Sequence, residues 1–403
     1  MTEDNASTGP NTVPLRCAIL FPRFGPYHVA RLDAAGKVFK ANGCELIGIE
    51  TATMDPTYEW DVYEGGSHFK RLTVFPEENS TAHSRREIRG AIIRELDTCT
   101  PDVVAIPGWQ YIEARSGLMW CRQSHAGAVL MSESSWHDFP RHWWKESVKK
   151  MLVRQYQSAL VGGSAHADYV VRLGMSPDKV RMGYDAVDND YFQTGADAAR
   201  ENAEAIRAKF KLPKTFLLAS GRFIHKKNFF RLLQAFSAFR AGHEANAAWE
   251  LVLCGDGQLR DDIHAECHRL GLNDVVHFPG FVQYENLPAY YGLASAFVHP
   301  STTEQWGLVV NEAMAAGLPV AVSSRCGSAP TLVDVGKNGT QFDPYSVDDM
   351  TRALHDTCSD PARMHAMGAA SQERIKDWGV ERFGTSLWEA AKIALVERTQ
   401  KTK

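Results

Sequence analysis

The sequence predicts an α/β protein of two doubly wound, Rossmann-like domains. Three observations carry that prediction. Short apolar runs alternate with longer stretches whose apolar residues recur at helical spacing, the pattern of a parallel sheet covered by helices. The pattern stops in a polar stretch from Asp185 to Glu204, poor in large apolar residues, and then starts again. The chain has 403 residues, more than one hydrophobic core usually serves.

Taken in order, Arg16–Phe21 reads as a buried strand that enters a Gly/Pro loop, Pro22–Pro26, before a helix from about Tyr27 to Ala41. Cys44–Glu50 is a second strand. Ser84–Asp97 is helical, with Ile88, Ile92, Ile93 and Leu96 on one face. Asp102–Ile106, Gly127–Met131 and Ala159–Val161 are further strands. The second series has strands at Thr215–Ala219, Glu250–Cys254, Val275–Phe278, Ala296–His299 and Val320–Ser323, with helices such as Asn228–Arg240 and Gln258–Leu270 between them. The expected division is a disordered tail over 1–13, a first domain over 14–190, a second over 195–375, and a C-terminal helix over 376–403. In that last segment Phe383, Leu387, Trp388, Ala391 and Leu395 share one face. Ligands of such sheets bind outside the carboxyl ends of the strands, so two facing domains place the site in the cleft between them.

Composition is that of an ordinary globular protein, 44% hydrophobic and 23% charged, with a formal net charge of −4. That balance argues against a general nucleic-acid binder. The eight cysteines are scattered without C-x-x-C or ligand-like spacing, which favours buried free thiols in a reducing, cytoplasmic setting and gives no zinc signal. No signal peptide and no run of transmembrane length is visible.

The most informative stretch is Ser301–Val320, which holds Glu304 and Glu312 seven residues beyond its neighbour Gln305. Glu304 sits in a polar loop after a strand. Gly307 frees the backbone, Leu308–Ala316 reads as a short apolar helix, and Gly317 and Pro319 stop it. One carboxylate therefore precedes a helix N-terminus and the other lies about two turns inside the helix, with the unpaired first-turn N–H groups between them as an anion site. That arrangement suits a ligand with hydroxyls at both ends and phosphate in the middle. In Ser220–Asn228, Arg222 and Lys227 are five apart in a loop before a helix, a planar fork and a mobile point charge for a diphosphate. A solvated basic loop is the competing reading. Cys254–Gln258 is a glycine-rich strand-to-helix turn, weak as a phosphate loop by itself. In Phe278–Val282, Phe281 and Val282 either flank a flat base or pack in the core.

Jointly, Gly221-Arg222 with Lys227, Gly255–Gly257, Phe278–Val282, His299–Ser301, Glu304 and Glu312–Val320 resemble, in order and spacing over about 215–345, the retaining nucleotide-sugar glycosyltransferases of group 1 (family 4). Pro330–Pro344 also resembles that family's segment after the Glu motif. The resemblance implies the GT-B fold, two Rossmann-like domains facing across a cleft with the C-terminal helix packing back towards the first. It implies transfer of a sugar, a hexose by family frequency and UDP-linked by the same measure, to a hydroxyl acceptor with retention of configuration. No cofactor and no metal are expected. By the same resemblance Arg222 and Lys227 hold the donor diphosphate and stabilise the leaving group, and Glu304 binds sugar hydroxyls. Gly307, Leu308 and Val309 present backbone to phosphate and sugar, Glu312 binds the ribose, and Val282 lies by the base.

The first domain matches less closely. Phe21–Arg31 resembles the family's first strand-loop-helix, where Gly25 lets the loop approach the donor and Arg23 faces the cleft. His28 reads as either a cleft residue or a helix-start residue. Many relatives carry a histidine after the strand that matches Asp102–Ile106; here the chain continues Pro107–Tyr111 without one. Met131–Asp138 supplies Glu133 and His137 to orient or deprotonate the acceptor, against helix capping by Ser134 or Asp138. Retention leaves two routes: a covalent intermediate on Glu133, or front-face attack in which the leaving phosphate takes the acceptor proton. The second needs fewer groups and is preferred. The acceptor class is cell-envelope polysaccharide, glycolipid or small glycoside. The competing functions are a catalytically silent sugar-nucleotide-binding subunit and a sucrose-synthase-like enzyme of the same fold. Residues 140–156 mix Trp143 and Trp144 with Lys145, Lys149, Lys150 and Arg154, which supports peripheral contact with an anionic membrane. Trp144, Val148, Leu152 and Tyr156 also form a core stripe, so both readings stand. Oligomeric state is left open.

Overall fold

The computed structural model describes residues 14–54, 65–138, 141–242 and 248–401. The expected N-terminal tail lies outside them. Two parallel sheets organise the chain. The first contains β1 (Arg16–Phe21), β2 (Glu45–Met54), β3 (Lys70–Asn79), β4 (Val103–Pro107), β5 (Gly127–Ser132), β6 (Ser158–Val161) and β7 (Val180–Met182), in the order β3-β2-β1-β4-β5-β6-β7. The second contains β8 (Phe216–Ser220), β9 (Glu250–Cys254), β10 (Val276–Gly280), β11 (Ala296–His299), β12 (Val320–Ser323) and β13 (Gly339–Phe342), in the order β10-β9-β8-β11-β12-β13. All pairings are parallel, for example Ile19 opposite Gly48 and Leu217 opposite Ala296. This is the GT-B architecture, two doubly wound halves. Strand order reverses at β1/β4 and at β8/β11, the switch points where such sheets take ligands.

The central strands are buried on both faces, as β4 and β12 are along their whole lengths. That is why they read as continuous apolar runs. The helices begin where local chemistry allows. Ser84 and Glu87 form a reciprocal cap for Arg85–Cys99, with Glu87 N–H donating to Ser84 Oγ at 3.3 Å and Ser84 N–H to Glu87 Oε2 at 2.8 Å. Asp360 caps Pro361–Ile375, with proline in the first turn.

The polar stretch between the two series is mostly helix. Asn189–Glu201 is capped by Asp188 and buries Phe192, Ala196 and Ala199 in the second-domain core. Three apolar residues at helical spacing suffice to dock it, although its remaining face is polar. The domains are instead joined where two backbone segments run side by side. Val187 pairs with Gly379, and Asn189 Nδ2 donates to Ile375 O at 2.8 Å. From there Val380–Lys401 returns to the first domain, as the resemblance implied. Val380, Phe383, Leu387, Ala390, Ala391 and Ala394 join the core around Phe39, with Trp388 edge-on to Phe39 at 5.1 Å. Ser158 Oγ donates to Ala390 O at 2.7 Å and Ser386 Oγ to Met182 O at 2.8 Å.

The helix Trp143–Val153 does not bury the expected stripe. Trp144 is 54% and Val148 46% exposed, whereas Val153 and Tyr156 are buried. All eight cysteines are free, and all but Cys44 are buried. Among the described residues no helix is long and apolar enough to cross a membrane.

Candidate active site

Three strand-end loops meet in the cleft: residues 22–25 after β1, 221–228 after β8 and 300–307 after β11. Each is held by specific bonds. Buried Glu50 accepts the Phe24 N–H at 2.7 Å through Oε2, while its Oε1 takes Thr73 Oγ1 at 2.8 Å and Arg71 Nη2 at 2.7 Å. A fully buried carboxylate thus fixes the first loop. Asn228, with φ of 62°, occupies the left-handed conformation that asparagine tolerates. Its buried Nδ2 donates to Pro300 O at 3.0 Å and Pro344 O at 2.8 Å, and Thr302 N–H donates to Lys226 O at 2.8 Å. The lysine loop is therefore tied to the glutamate loop.

Within that frame Lys227 Nζ donates to Glu304 Oε2. Lys226 Nζ lies 3.7 Å from Glu304 Oε1, and His299 Nε2 lies 3.5 Å from Oε2. Burial by itself would raise the Glu304 carboxyl. Lys227, His299 and Lys226 outweigh it and hold the group well below the usual carboxylate range. Gly307 follows at φ of 93°. A Cβ there would lie 3.0 Å from Cys326 Sγ and 3.3 Å from Glu304 Cγ, so both torsion and space require glycine. The helix Leu308–Ala315 starts here with no side-chain cap and no acid in its first turn. Its N-terminal N–H groups and dipole favour an anion beside Lys227.

Glu312, inside that helix, is buried. Tyr27 OH donates to its Oε1 at 2.8 Å and Tyr291 OH to its Oε2 at 2.6 Å. Desolvation pushes its carboxyl up to about 7, against the lowering effect of the two hydroxyls. Tyr27 belongs to the first domain, so this bond spans the cleft. Its ring lies edge-on to Tyr284 at 5.3 Å, and Tyr284 stacks on Tyr191 at 4.7 Å.

On the opposite wall, Glu133, just after β5, and Asp185 interact as a pair of carboxyls. Burial raises both carboxyls, Asp185 strongly, with Arg31 opposing. Two neighbouring buried carboxyls titrate as a pair, and like charge favours protonation of one of them. Glu133 also feels the Glu304 charge, which places the two walls face to face. Gly162 and Gly163, after β6, leave room for the second domain. A Cβ on Gly162 would lie 2.6 Å from Asp185 Oδ2 and 2.9 Å from Trp306, and one on Gly163 2.8 Å from Trp306. His166 Nδ1 accepts the Gly163 N–H at 3.1 Å, so its Nε2 carries the hydrogen donated to Gln305 O at 2.8 Å. Burial keeps this histidine's pKa low. It ties the first domain to the residue after Glu304.

The structure brings together Lys227, Glu304, Gly307, Leu308, Val309 and Glu312, with Glu133 opposite. Arg222 is exposed at the loop edge. Val282 packs its side chain into the second-domain core with Tyr284 and Leu287, the packing alternative. Gly25 caps the first helix at φ of −104°, and an added Cβ would meet nothing nearer than His28 Nδ1 at 3.8 Å. Nothing in the protein itself demands glycine there. His28 Nδ1 accepts the Gly25 N–H at 3.2 Å, the helix-start role, and burial, followed by the charges of Arg31 and Arg23, holds its pKa well down. His137 is exposed at the rim and joins the cleft through its carbonyl, which accepts from Arg325 Nη2 at 3.2 Å. Asp138 bonds back to Ser135 N–H and Oγ at 2.7 and 2.6 Å rather than capping a helix. Tyr27, His166, Asp185, Asn228 and Trp306 were not singled out from sequence. Only the Gly162-Gly163 pair after a strand hinted at a close approach there.

Two facing parallel-sheet domains with a Lys–Glu pair and a helix N-terminus at the second switch point are the arrangement of the GT-B fold. The family model described as Glycosyl transferases group 1 matches residues 202–374, within the second half of the chain. The chain is 32% identical over 197 residues to a GDP-mannose-dependent alpha-(1-6)-phosphatidylinositol monomannoside mannosyltransferase of Mycobacterium tuberculosis, covering 47% of this chain and 49% of that one. It is 28% identical over 227 residues to a D-inositol 3-phosphate glycosyltransferase of Kribbella flavida, covering 53% and 51%. The chain thus spans about half the length of these curated relatives. Its fold superposes on sucrose-phosphate synthase from Thermosynechococcus elongatus with a TM-score of 0.71 at 19% identity, covering 95% of this chain and all of that one.

Proposed function

We propose that the protein is a retaining glycosyltransferase that moves a hexose from a nucleoside-diphosphate sugar to a hydroxyl of a polyhydroxylated acceptor. The observation that carries this reading is the Lys227–Glu304 pair beside the N-terminus of Leu308–Ala315. When donor binds, Lys227 and the helix N–H groups, with Arg222 from the loop edge, hold the diphosphate. Glu304, ionised at neutral pH, accepts sugar hydroxyls, and Glu312 accepts the ribose hydroxyls. Gly25, free of any demand from the fold, lets the first loop close on the donor. Stabilising the departing diphosphate supplies the largest part of the rate. The acceptor oxygen bonds the anomeric carbon on the face the diphosphate leaves, and a leaving phosphate oxygen takes its proton. This route uses no metal and no covalent intermediate on Glu133.

Glu133 and Asp185, facing Glu304, suit the acceptor's hydroxyls: protonation of one lets the pair donate one hydrogen bond and accept others. The names of both relatives contain inositol, which makes inositol and its phosphates the first acceptors to try. UDP-hexose is the donor expected from family frequency, and GDP-mannose enters through the first relative's name. The test incubates the protein with UDP-glucose, UDP-galactose or GDP-mannose, with and without these polyols. Release of nucleoside diphosphate and the product's anomeric configuration are followed. Acceptor-dependent release with the donor's configuration kept is expected. An inverted product contradicts retention, and donor binding without turnover under any acceptor points to a silent binding subunit.

A further inference from the structure

We propose that the helix Trp143–Val153 docks the protein on an anionic lipid surface. Ten large apolar side chains are strongly exposed among the described residues, and five of them, Trp136, Trp143, Trp144, Val148 and Met151, fall in one short segment. Trp143 is 83% and Met151 62% exposed. A concentrated apolar patch of this kind on a helix marks an interaction surface. At helical spacing Trp143, Met151, Trp144 and Val148 span an arc of about 140°. Lys150 and Lys145 lie to either side of that arc, while Ser147 and Arg154, the residue that ends the helix, fall inside it, all exposed. Lys145 Nζ lies 5.3 Å over the Trp144 ring, so its charge sits at the edge of the apolar face.

The helix's single acid is withdrawn from this face. Glu146 is held by Lys149 Nζ at 2.9 Å, by Tyr169 OH at 2.8 Å and by Arg141 Nη1 at 3.4 Å. What faces solvent is tryptophan, methionine and valine rimmed by uncompensated cations, the composition of a helix lying in a bilayer interface. The charge also weighs against a second copy of this chain as the occupant, because a two-fold contact would set like-charged rims together. Anionic headgroups complement the rim, and the acyl boundary takes the indoles. The helix follows the loop that carries Glu133, so docking would bring the first-domain wall of the cleft to the lipid surface. The docking stands whether or not the reaction proposed above is correct.

The test is co-sedimentation of the full chain with vesicles of phosphatidylcholine alone or with roughly one-third phosphatidylglycerol, at low and high salt. Two variants accompany it, Trp143→Ser with Trp144→Ser, and Lys145→Glu with Lys150→Glu, each first shown to melt like the wild type. Wild type is expected in the pellet with anionic vesicles at low salt, with binding reduced by about ten-fold or more in either variant and by high salt. Wild type remaining in the supernatant, or variants that bind equally, overturns the proposal. So does lipid-free self-association in sedimentation velocity that the tryptophan variant abolishes, which would give the face to a second copy.

Discussion

Tyr27 of the first domain donates its hydroxyl to Oε1 of Glu312 in the second, at 2.8 Å across the cleft. With Tyr291 on Oε2 at 2.6 Å, both oxygens of the carboxylate proposed to bind the donor ribose are engaged by protein hydroxyls. Tyr27 and the ribose therefore compete for the same acceptor. Well above the titration of Glu312, Tyr27→Phe should tighten donor binding by about five-fold, the worth of one modest hydrogen bond. Calorimetric titration at about pH 9 reads this directly. Weaker binding in the variant would instead make Tyr27 a donor contact.

Glu312 also makes stability depend on pH. Its carboxyl titrates at about 7 in the fold, against an ordinary 4.5. Between those values the folded protein holds a proton that the unfolded chain has lost. The stabilisation is whole below about 4.5, declines as pH rises to 7, and is flat above. The difference should approach roughly 3 kcal/mol. Urea denaturation of wild type and Glu312→Gln at matched pH should show this slope in the wild type only. Parallel profiles would show that Glu312 is not buried as described.

Asn228 joins the lysine and glutamate loops through Pro300 O and Pro344 O. Asn228→Ala leaves two buried carbonyls without their donor and puts at φ of 62° a residue that lacks asparagine's tolerance of the left-handed region. A loss of roughly 2–3 kcal/mol in denaturant is expected, together with a fall in activity from the displaced Lys227. An unchanged midpoint would show that the loops are held otherwise.

The central strands were legible because burial on both faces writes them as apolar runs; β4 and β12 fall where Asp102–Ile106 and Val320–Ser323 were read. The strands missed, β3, β7 and β13, are all sheet edges. β3 carries Lys70, Arg71, Pro76 and Glu78, and β7 has only three residues, so neither shows a core signature. In the site, Lys227, Glu304, Gly307 and Glu312 were readable because they lie on two loops and one helix of a single domain, at fixed spacing. Tyr27, Asp185 and His166 were not, because their meaning depends on the other domain: Glu312 lies 285 residues from Tyr27, and Gln305 lies 139 from His166. The alternation along Trp143–Tyr156 looked the same for a core helix and a surface helix, and only the packing of its neighbours separates them.

Lys227 carries the account. It pairs with Glu304 and is proposed to hold the diphosphate during transfer, so its loss should weaken the transition state more than the ground state. The most direct measurement is acceptor-dependent release of nucleoside diphosphate by wild type and Lys227→Ala, at saturating donor. A fall in kcat of about 10²–10³-fold with a much smaller change in KM is the predicted result. Turnover in Lys227→Ala equal to that of the wild type would contradict the assignment of this cleft as the site of sugar transfer.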